Sequence, residues 1–302
     1  MNAPPFKRLA VLGLGLLGGS VAKAARERGL ALEVVGAARR AAPLARALEA
    51  GIVDSVSSPA EAVDGADFVV LGTPVGTMSR VVAEVAPSLE PGCIVTDVGS
   101  VKSSVVDTIP GLLPDSVGFV GSHPMAGSHL RGPDHARSDL FEGASCVITP
   151  RDGQGEAAVA RVEAFWGALG ARVTRRAPDV HDEEVAWVSH LPHLVAFAFA
   201  KALEEAPTGV GELAGGGFRD FTRIAQSDAE LWGEILSLNG KALAGPLSHF
   251  SKALSDLSEA LEKNDGETVE KLLNRARSRL AEVASRANRR ERRAPVEEES
   301  NQ

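Results

Sequence analysis

A short apolar β-type run at residues 9–12 leads directly into Gly13-Leu14-Gly15-Leu16-Leu17-Gly18, and residues 21–29 then read as helix. A strand, a G-x-G-x-x-G turn and a helix in that order leave few folds open. Gly13 allows the tight turn, Gly15 lets backbone come close to a pyrophosphate, and Gly18 lets the helix pack tightly on the strand. The helix N-terminus then turns its free N–H groups toward the anion. The glycines alone would be a weak signal, but a second β-type run at 32–36 follows on schedule. Together they mark a dinucleotide site made by Gly13, Leu14, Gly15, Leu16, Leu17 and Gly18.

About 20 residues after the last glycine, an acid would grip the ribose hydroxyls of NAD. This chain has Ala38 there, followed by Arg39 and Arg40. Without the acid nothing repels a 2′-phosphate, and a guanidinium can pair with one through two hydrogen bonds. The cofactor expectation is therefore NAD(P)+, with NADP+ favoured and Arg39 as its contact. The alternative is that both arginines are solvated or stack on adenine without discriminating.

Further β-type runs at 68–71, 94–97, 117–121, 146–149 and 172–174 alternate with helical stretches. That alternation predicts an α/β fold, a Rossmann-type doubly wound and mostly parallel sheet covered on both faces. After residue 178 Ala, Leu and Glu dominate at helical spacing, in 183–203, 229–244 and 251–264, with Gly245 and Pro246 separating the last two. The expected organisation is a dinucleotide-binding domain over 1–178, an all-α substrate and dimerisation domain over 179–288, and a disordered charged tail over 289–302. Pro178 and Asp179 mark the boundary, Asp179 being able to cap the first helix beyond it. Gly215, Gly216 and Gly217 interrupt the helical half and leave its backbone free to approach a ligand.

Composition narrows the function classes. With 302 residues, 44% hydrophobic and 24% charged, the chain is long enough for two domains with real cores. A formal net charge of −8 disfavours nucleic acid as a partner. No apolar run reaches the roughly 20 residues of a membrane span, and no signal-type segment precedes the glycine motif. Cys93 and Cys146 both sit inside β-type runs, as expected of buried thiols in a reducing cytoplasm. A small-molecule substrate is the expected partner.

Four further segments carry the chemistry: Asp97-Val98-Gly99-Ser100-Val101-Lys102, Gly121-Ser122-His123-Pro124-Met125-Ala126-Gly127-Ser128, Ser189-His190-Leu191-Pro192-His193, and Phe218-Arg219-Asp220-Phe221-Thr222-Arg223-Ile224-Ala225. Residues 97–100 lie where a parallel strand ends, and His123 follows the next strand in the same manner. Ligands of α/β sheets bind at such ends. In this order, over residues 8–285, the segments closely resemble the prephenate and arogenate dehydrogenases.

The resemblance implies oxidative decarboxylation of prephenate to 4-hydroxyphenylpyruvate on the route to tyrosine. It implies His123 as the proton acceptor at the ring hydroxyl, with Ser100 orienting that hydroxyl. Arg223 would clamp a carboxylate, held by an ion pair with Asp220, and His193 would contact the substrate side chain with His190 one turn away. Thr73, Pro74 and Gly99 join the cofactor site. A homodimer through the helical domain and a reaction without metal are implied as well. Where many relatives carry an acid, this chain has His129, which tilts the expectation toward prephenate over arogenate.

Each assignment has a plainer alternative. His123 can be a turn residue, Ser100 a helix cap, Arg223 a surface residue, and Lys102 a solvated or helix-anchoring one. His190 and His193 can be packing residues or, less in keeping with their spacing, metal ligands. Rival functions are a β-hydroxyacid-type dehydrogenase, for which the helical half offers no evident lysine base, and a non-catalytic dinucleotide sensor. Retention of Ser100, His123 and Arg223 together argues against the sensor.

Overall fold

Strand β1 (Phe6–Leu12) sends alternate side chains to opposite faces of a sheet. Leu9 and Val11 enter a core with Val21, Ile148, Phe165 and Trp166, whereas Ala10 and Leu12 join Val69, Leu71, Met78 and Val82. Burial on both faces explains why the strands read as continuous apolar runs. The structure is a computed structural model, and it describes residues 5–39, 41–127 and 130–292, with side chains described as far as Ser285.

The chain continues through α1 (Leu16–Glu27), β2 (Ala31–Ala37), α2 (Ala41–Glu49), β3 (Ser55–Val56), α3 (Pro59–Val63), β4 (Phe68–Leu71) and α4 (Val75–Val85). It then forms β5 (Ile94–Asp97), α5 (Ser103–Thr108), β6 (Gly118–Pro124), β7 (Ser145–Thr149), α6 (Glu156–Ala168) and β8 (Arg172–Arg175). The strands form one sheet in the order β3-β2-β1-β4-β5-β6-β7-β8. All pairs are parallel except β6 against β7. The expected doubly wound sheet is present, and its direction of winding reverses between β1 and β4. The crevice beyond the carboxyl ends of those two strands is where such sheets take ligands.

Two strand expectations need correction. β3, only two residues long, has too little pattern to be seen in sequence. His123 does not follow β6 but lies within it. Parallel pairing with β5 ends at Val120, but β7 supplies antiparallel partners further on, His123 opposite Val147 and Pro124 opposite Cys146, so the strand continues.

Beyond the sheet come α7 (Pro178–Val185), a π turn at Ala186–His190, α8 (Leu191–Ala202), α9 (Gly216–Thr222), α10 (Ala229–Leu238), α11 (Gly240–Glu262) and α12 (Gly266–Arg292). Ala177, not Asp179, is the N-cap of α7. Pro178 occupies the first helical position, where its missing N–H costs nothing, and the Asp179 carboxylate accepts from the Val180 N–H instead. Gly245 and Pro246 do not divide two helices. They lie inside the 23-residue α11, which tolerates the loss of one main-chain bond, and the break falls at Asn239, the C-cap of α10. Residues 289–292, expected in a disordered tail, continue α12, and the rest of that tail lies outside the described residues.

Sheet gives way to helices at Pro178, whereas compactness divides the chain between Leu243 and Ala244. In the second unit Leu254, Leu261, Leu273, Leu280 and Val283 are exposed along α11 and α12. Among the described residues no helix is long and apolar enough to cross a membrane.

Candidate active site

The glycine turn after β1 is built for close approach. Gly13 has φ +104°, and a Cβ on Gly18 would lie 2.0 Å from the Gly13 carbonyl oxygen. Gly15 differs, since a Cβ there would meet no protein atom within 4 Å. It is also the N-cap of α1, with no side chain capping the helix and no acid in its first turn. The N-terminal amides therefore face open space without a competing carboxylate, which fits a pyrophosphate. Across the crevice, Gly72, Thr73 and Pro74 follow β4. Thr73 Oγ1 is buried with no hydrogen-bond partner among the described residues, and Pro74 is the N-cap of α4. Ala38 lies just past the end of β2 with Arg39 next to it, while Arg40 lies outside the described residues.

The Asp97 to Lys102 segment is anchored by a buried ion pair. Both side chains have 0% exposure, and Lys102 Nζ donates to Asp97 Oδ2 and, at 2.9 Å, to the Ser122 carbonyl oxygen. Asp97 also accepts from the Gly99 N–H at 2.8 Å and the Ser122 N–H at 3.0 Å. Lys102 is thus neither solvated nor a substrate contact; it binds the loop carrying Ser100 and Gly99 to the residue preceding His123. Lys102 is also the N-cap of α5, so the half-buried Ser100 is not a helix cap, and its hydroxyl makes no hydrogen bond among the described residues.

His123 is 7% exposed, and its Nδ1 lies 2.8 Å from His181 Nε2. His181 Nδ1 in turn lies 2.8 Å from Asp182 Oδ1. Asp182 Oδ1 also accepts from the Lys102 N–H at 2.8 Å, and Oδ2 from the Ser103 N–H at 2.9 Å. An acid of α7 therefore caps α5 from a distance of 80 residues in sequence. Burial opposes its charge, but hydrogen bonds from His181, Lys102 and Ser103 prevail and hold the carboxyl below its ordinary value.

His190 closes the π turn and is fully buried. Asn239 Nδ2 donates to the Asp182 carbonyl oxygen at 2.9 Å and lies 2.8 Å from His190 Nδ1. A donor at both contacts makes His190 Nδ1 the acceptor, so Nε2 carries the proton. That N–H is buried without a partner among the described residues. His193 bonds through Nδ1 to the Ser189 carbonyl oxygen at 2.8 Å and stacks on Trp232 with ring centroids 3.6 Å apart. His190 meets the same indole edge-on at 6.0 Å. Trp232 thus gathers both histidines. Burial lowers the basicity of His193, and the positive charge of Arg223 adds to that effect. The ion pair expected between Asp220 and Arg223 is not formed, and both residues are exposed. His129 lies outside the described residues.

The model of the prephenate dehydrogenase nucleotide-binding domain matches residues 21–175, and that of the prephenate dehydrogenase dimerization domain matches 177–275. The chain belongs to the prephenate/arogenate dehydrogenase family. It is 34% identical to the cyclohexadienyl dehydrogenase of Zymomonas mobilis, over 91% of this chain and 96% of that one. It is 32% identical to the prephenate dehydrogenase of Bacillus subtilis, over 86% and 72%. Among solved structures, Aquifex aeolicus prephenate dehydrogenase in complex with hydroxyphenyl propionate and NAD+ superimposes with a TM-score of 0.85 at 32% identity, over 92% of this chain and 98% of that one. Synechocystis arogenate dehydrogenase gives 0.77 at 30%, over 91% and 99%.

As a member of this family the chain is an oxidoreductase of aromatic amino acid biosynthesis with an NAD-binding Rossmann fold. Sequence reasoning about the dehydrogenase missed His181, Asp182, Asn239 and Trp232. His181 and Asp182 are adjacent in a segment read only as the first helix, and their partners lie 58 and 80 residues away, so no local spacing points to them.

His123 and His190 are both held neutral at physiological pH. Burial first, and then electrostatic repulsion of a proton by the neighbouring His181, Lys102 and His190, hold His123 well below 6.5. Burial outweighs the attraction of Asp182 and takes His190 from 6.5 to about 4. The unfolded chain binds protons below pH 6.5 that the folded chain refuses, so the stability due to these rings is complete above that value. It is lost as pH falls from there toward the folded value. For His190 alone the expected loss by about pH 5 is about 2 kcal/mol. Urea unfolding across that range checks this, and a midpoint that does not move would contradict it.

Proposed function

We propose that this dehydrogenase oxidatively decarboxylates prephenate to 4-hydroxyphenylpyruvate, with His123 as the proton acceptor. The observation that carries this reading is a neutral, buried imidazole at the carboxyl end of β6, on a strand bound to the Ser100 loop that follows the neighbouring β5. A bound NAD(P)+, held by residues 13–18 with Thr73, Pro74 and Gly99, would take the hydride from the ring carbon bearing the hydroxyl. His123 holds the hydroxyl proton as positive charge grows there, and Ser100 orients the same hydroxyl. The ring carboxylate leaves as CO2, its bonding electrons complete the aromatic ring, and the phenol oxygen recovers the proton. Aromatisation drives the step, so no metal is called on, and the protein supplies position and electrostatics.

Arg223 is the carboxylate clamp of this reading. His193, stacked on Trp232, meets the substrate side chain, and the His190 N–H offers a buried donor to a substrate oxygen. The division of labour follows residues 1–178 and 179–288, and the helical part forms a homodimer, in keeping with the dimerization-domain match and the exposed leucines of α11 and α12. Ala38 with Arg39 favours NADP+ over NAD+.

The assay follows reduced nicotinamide absorbance with prephenate or arogenate and with NAD+ or NADP+. Prephenate with NADP+ is expected to give the highest kcat/KM. Activity with arogenate alone would overturn the substrate assignment, and a clear preference for NAD+ would overturn the role of Arg39. Use of both substrates is the second reading, favoured by likeness to the Zymomonas mobilis cyclohexadienyl dehydrogenase. Cofactor binding without turnover of either substrate would favour a sensor.

A further inference from the structure

We propose that His181 and Asp182 are positioning residues that lock His123 in a single tautomer, with Nδ1 protonated and Nε2 bare. The inference rests on the reading of His123 as the acceptor. Asp182 is acceptor-only, filled by two main-chain N–H groups at 2.8 and 2.9 Å and by His181 Nδ1 at 2.8 Å. Because a carboxylate has no proton to give, His181 must carry its own on Nδ1. On a His181 ring that carries this one proton, Nε2 is a lone-pair acceptor, and among the described residues it meets His123 Nδ1, 2.8 Å away. His123 must therefore donate through Nδ1, which leaves Nε2 unprotonated and able to accept the substrate proton.

The opposite tautomer would place two lone pairs against each other at 2.8 Å in a buried site. His190 is the contrasting case, since the Asn239 amide presents a donor to its Nδ1 and puts the proton on Nε2. Two buried histidines are thus set to opposite roles, one acceptor and one donor, by His181 and Asn239. When His123 gains a proton at Nε2, the charge on the ring is shared along the same bond with His181 and faced by the Asp182 carboxylate. No proton needs to travel past His123 Nδ1.

Ring nitrogen NMR of the full-length wild-type protein labelled with 15N-histidine, with His123→Asn used for assignment, reads the tautomer directly. An unprotonated Nε2 on His123 is expected, and an Nε2–H signal there would overturn the proposal whether or not the enzyme proves active on prephenate. In His181→Asn, which cannot reach His123, the signal is expected to spread between tautomers. Its kcat should fall about 10-fold or more while KM for the cofactor stays within about 2-fold. His181→Gln, whose amide oxygen can stand where Nε2 stands, should recover most of that loss. Equal loss in both variants, or none in His181→Asn, would overturn the proposal.

Discussion

His123→Asn is expected to lower kcat by about 10²-fold or more, equivalent to about 2.7 kcal/mol of transition-state stabilisation, with cofactor affinity little changed. The substitution isolates the function from the fold. An asparagine amide nitrogen can occupy the place of Nδ1 and still donate to His181, so the connection to α7 survives. What disappears is the Nε2 lone pair and its capacity to hold a proton. Steady-state kinetics with saturating cofactor, together with cofactor titration by fluorescence quenching, separate the two effects. A variant that keeps wild-type kcat would remove His123 from the chemistry, and one that loses cofactor binding in proportion would move it to the cofactor site.

Lys102→Met is expected to cost about 3–5 kcal/mol of stability, because it leaves the Asp97 carboxylate charged and buried without its cation. The methionine fills similar volume, so the loss reports electrostatics rather than a cavity. For a unit of this size that cost corresponds to a fall in Tm on the order of 10 °C. Asp97 keeps its two main-chain donors, Gly99 and Ser122, and these do not compensate a full charge in a site with 0% exposure. Pairing the change with Asp97→Asn removes the stranded charge and should restore much of the stability, a coupling that urea denaturation of the two single variants and the double variant measures. If the single variant unfolds within about 1 kcal/mol of wild type, the pair is not the anchor of the Ser100 loop.

The fold was largely legible because its signals are local. Seven of the eight strands announce themselves as apolar runs bounded by glycine, proline or charge. The missing β3 is two residues long. Errors cluster where a distant partner overrides a local tendency. The extension of β6 through His123 depends on β7, and α11 absorbs the Gly245-Pro246 pair that reads locally as a break.

Within the site, the motifs already named Ser100, His123, His190, His193 and Arg223 as residue types suited to the chemistry. The burial of Lys102 was illegible, since a lysine ahead of a helix reads as solvated. The Asp220–Arg223 pairing, which the three-residue spacing suggests, is not formed, and both side chains are exposed.

The glycine turn, the alternation of strand and helix and the order of the motifs follow from the sequence by itself, because turn stereochemistry and side-chain periodicity act over a few residues. Which imidazole is an acceptor and which a donor was decided only by tertiary structure. A neutral histidine is indifferent between its two nitrogens until a neighbour removes the choice, and here the neighbours, His181 for His123 and Asn239 for His190, lie 58 and 49 residues away along the chain.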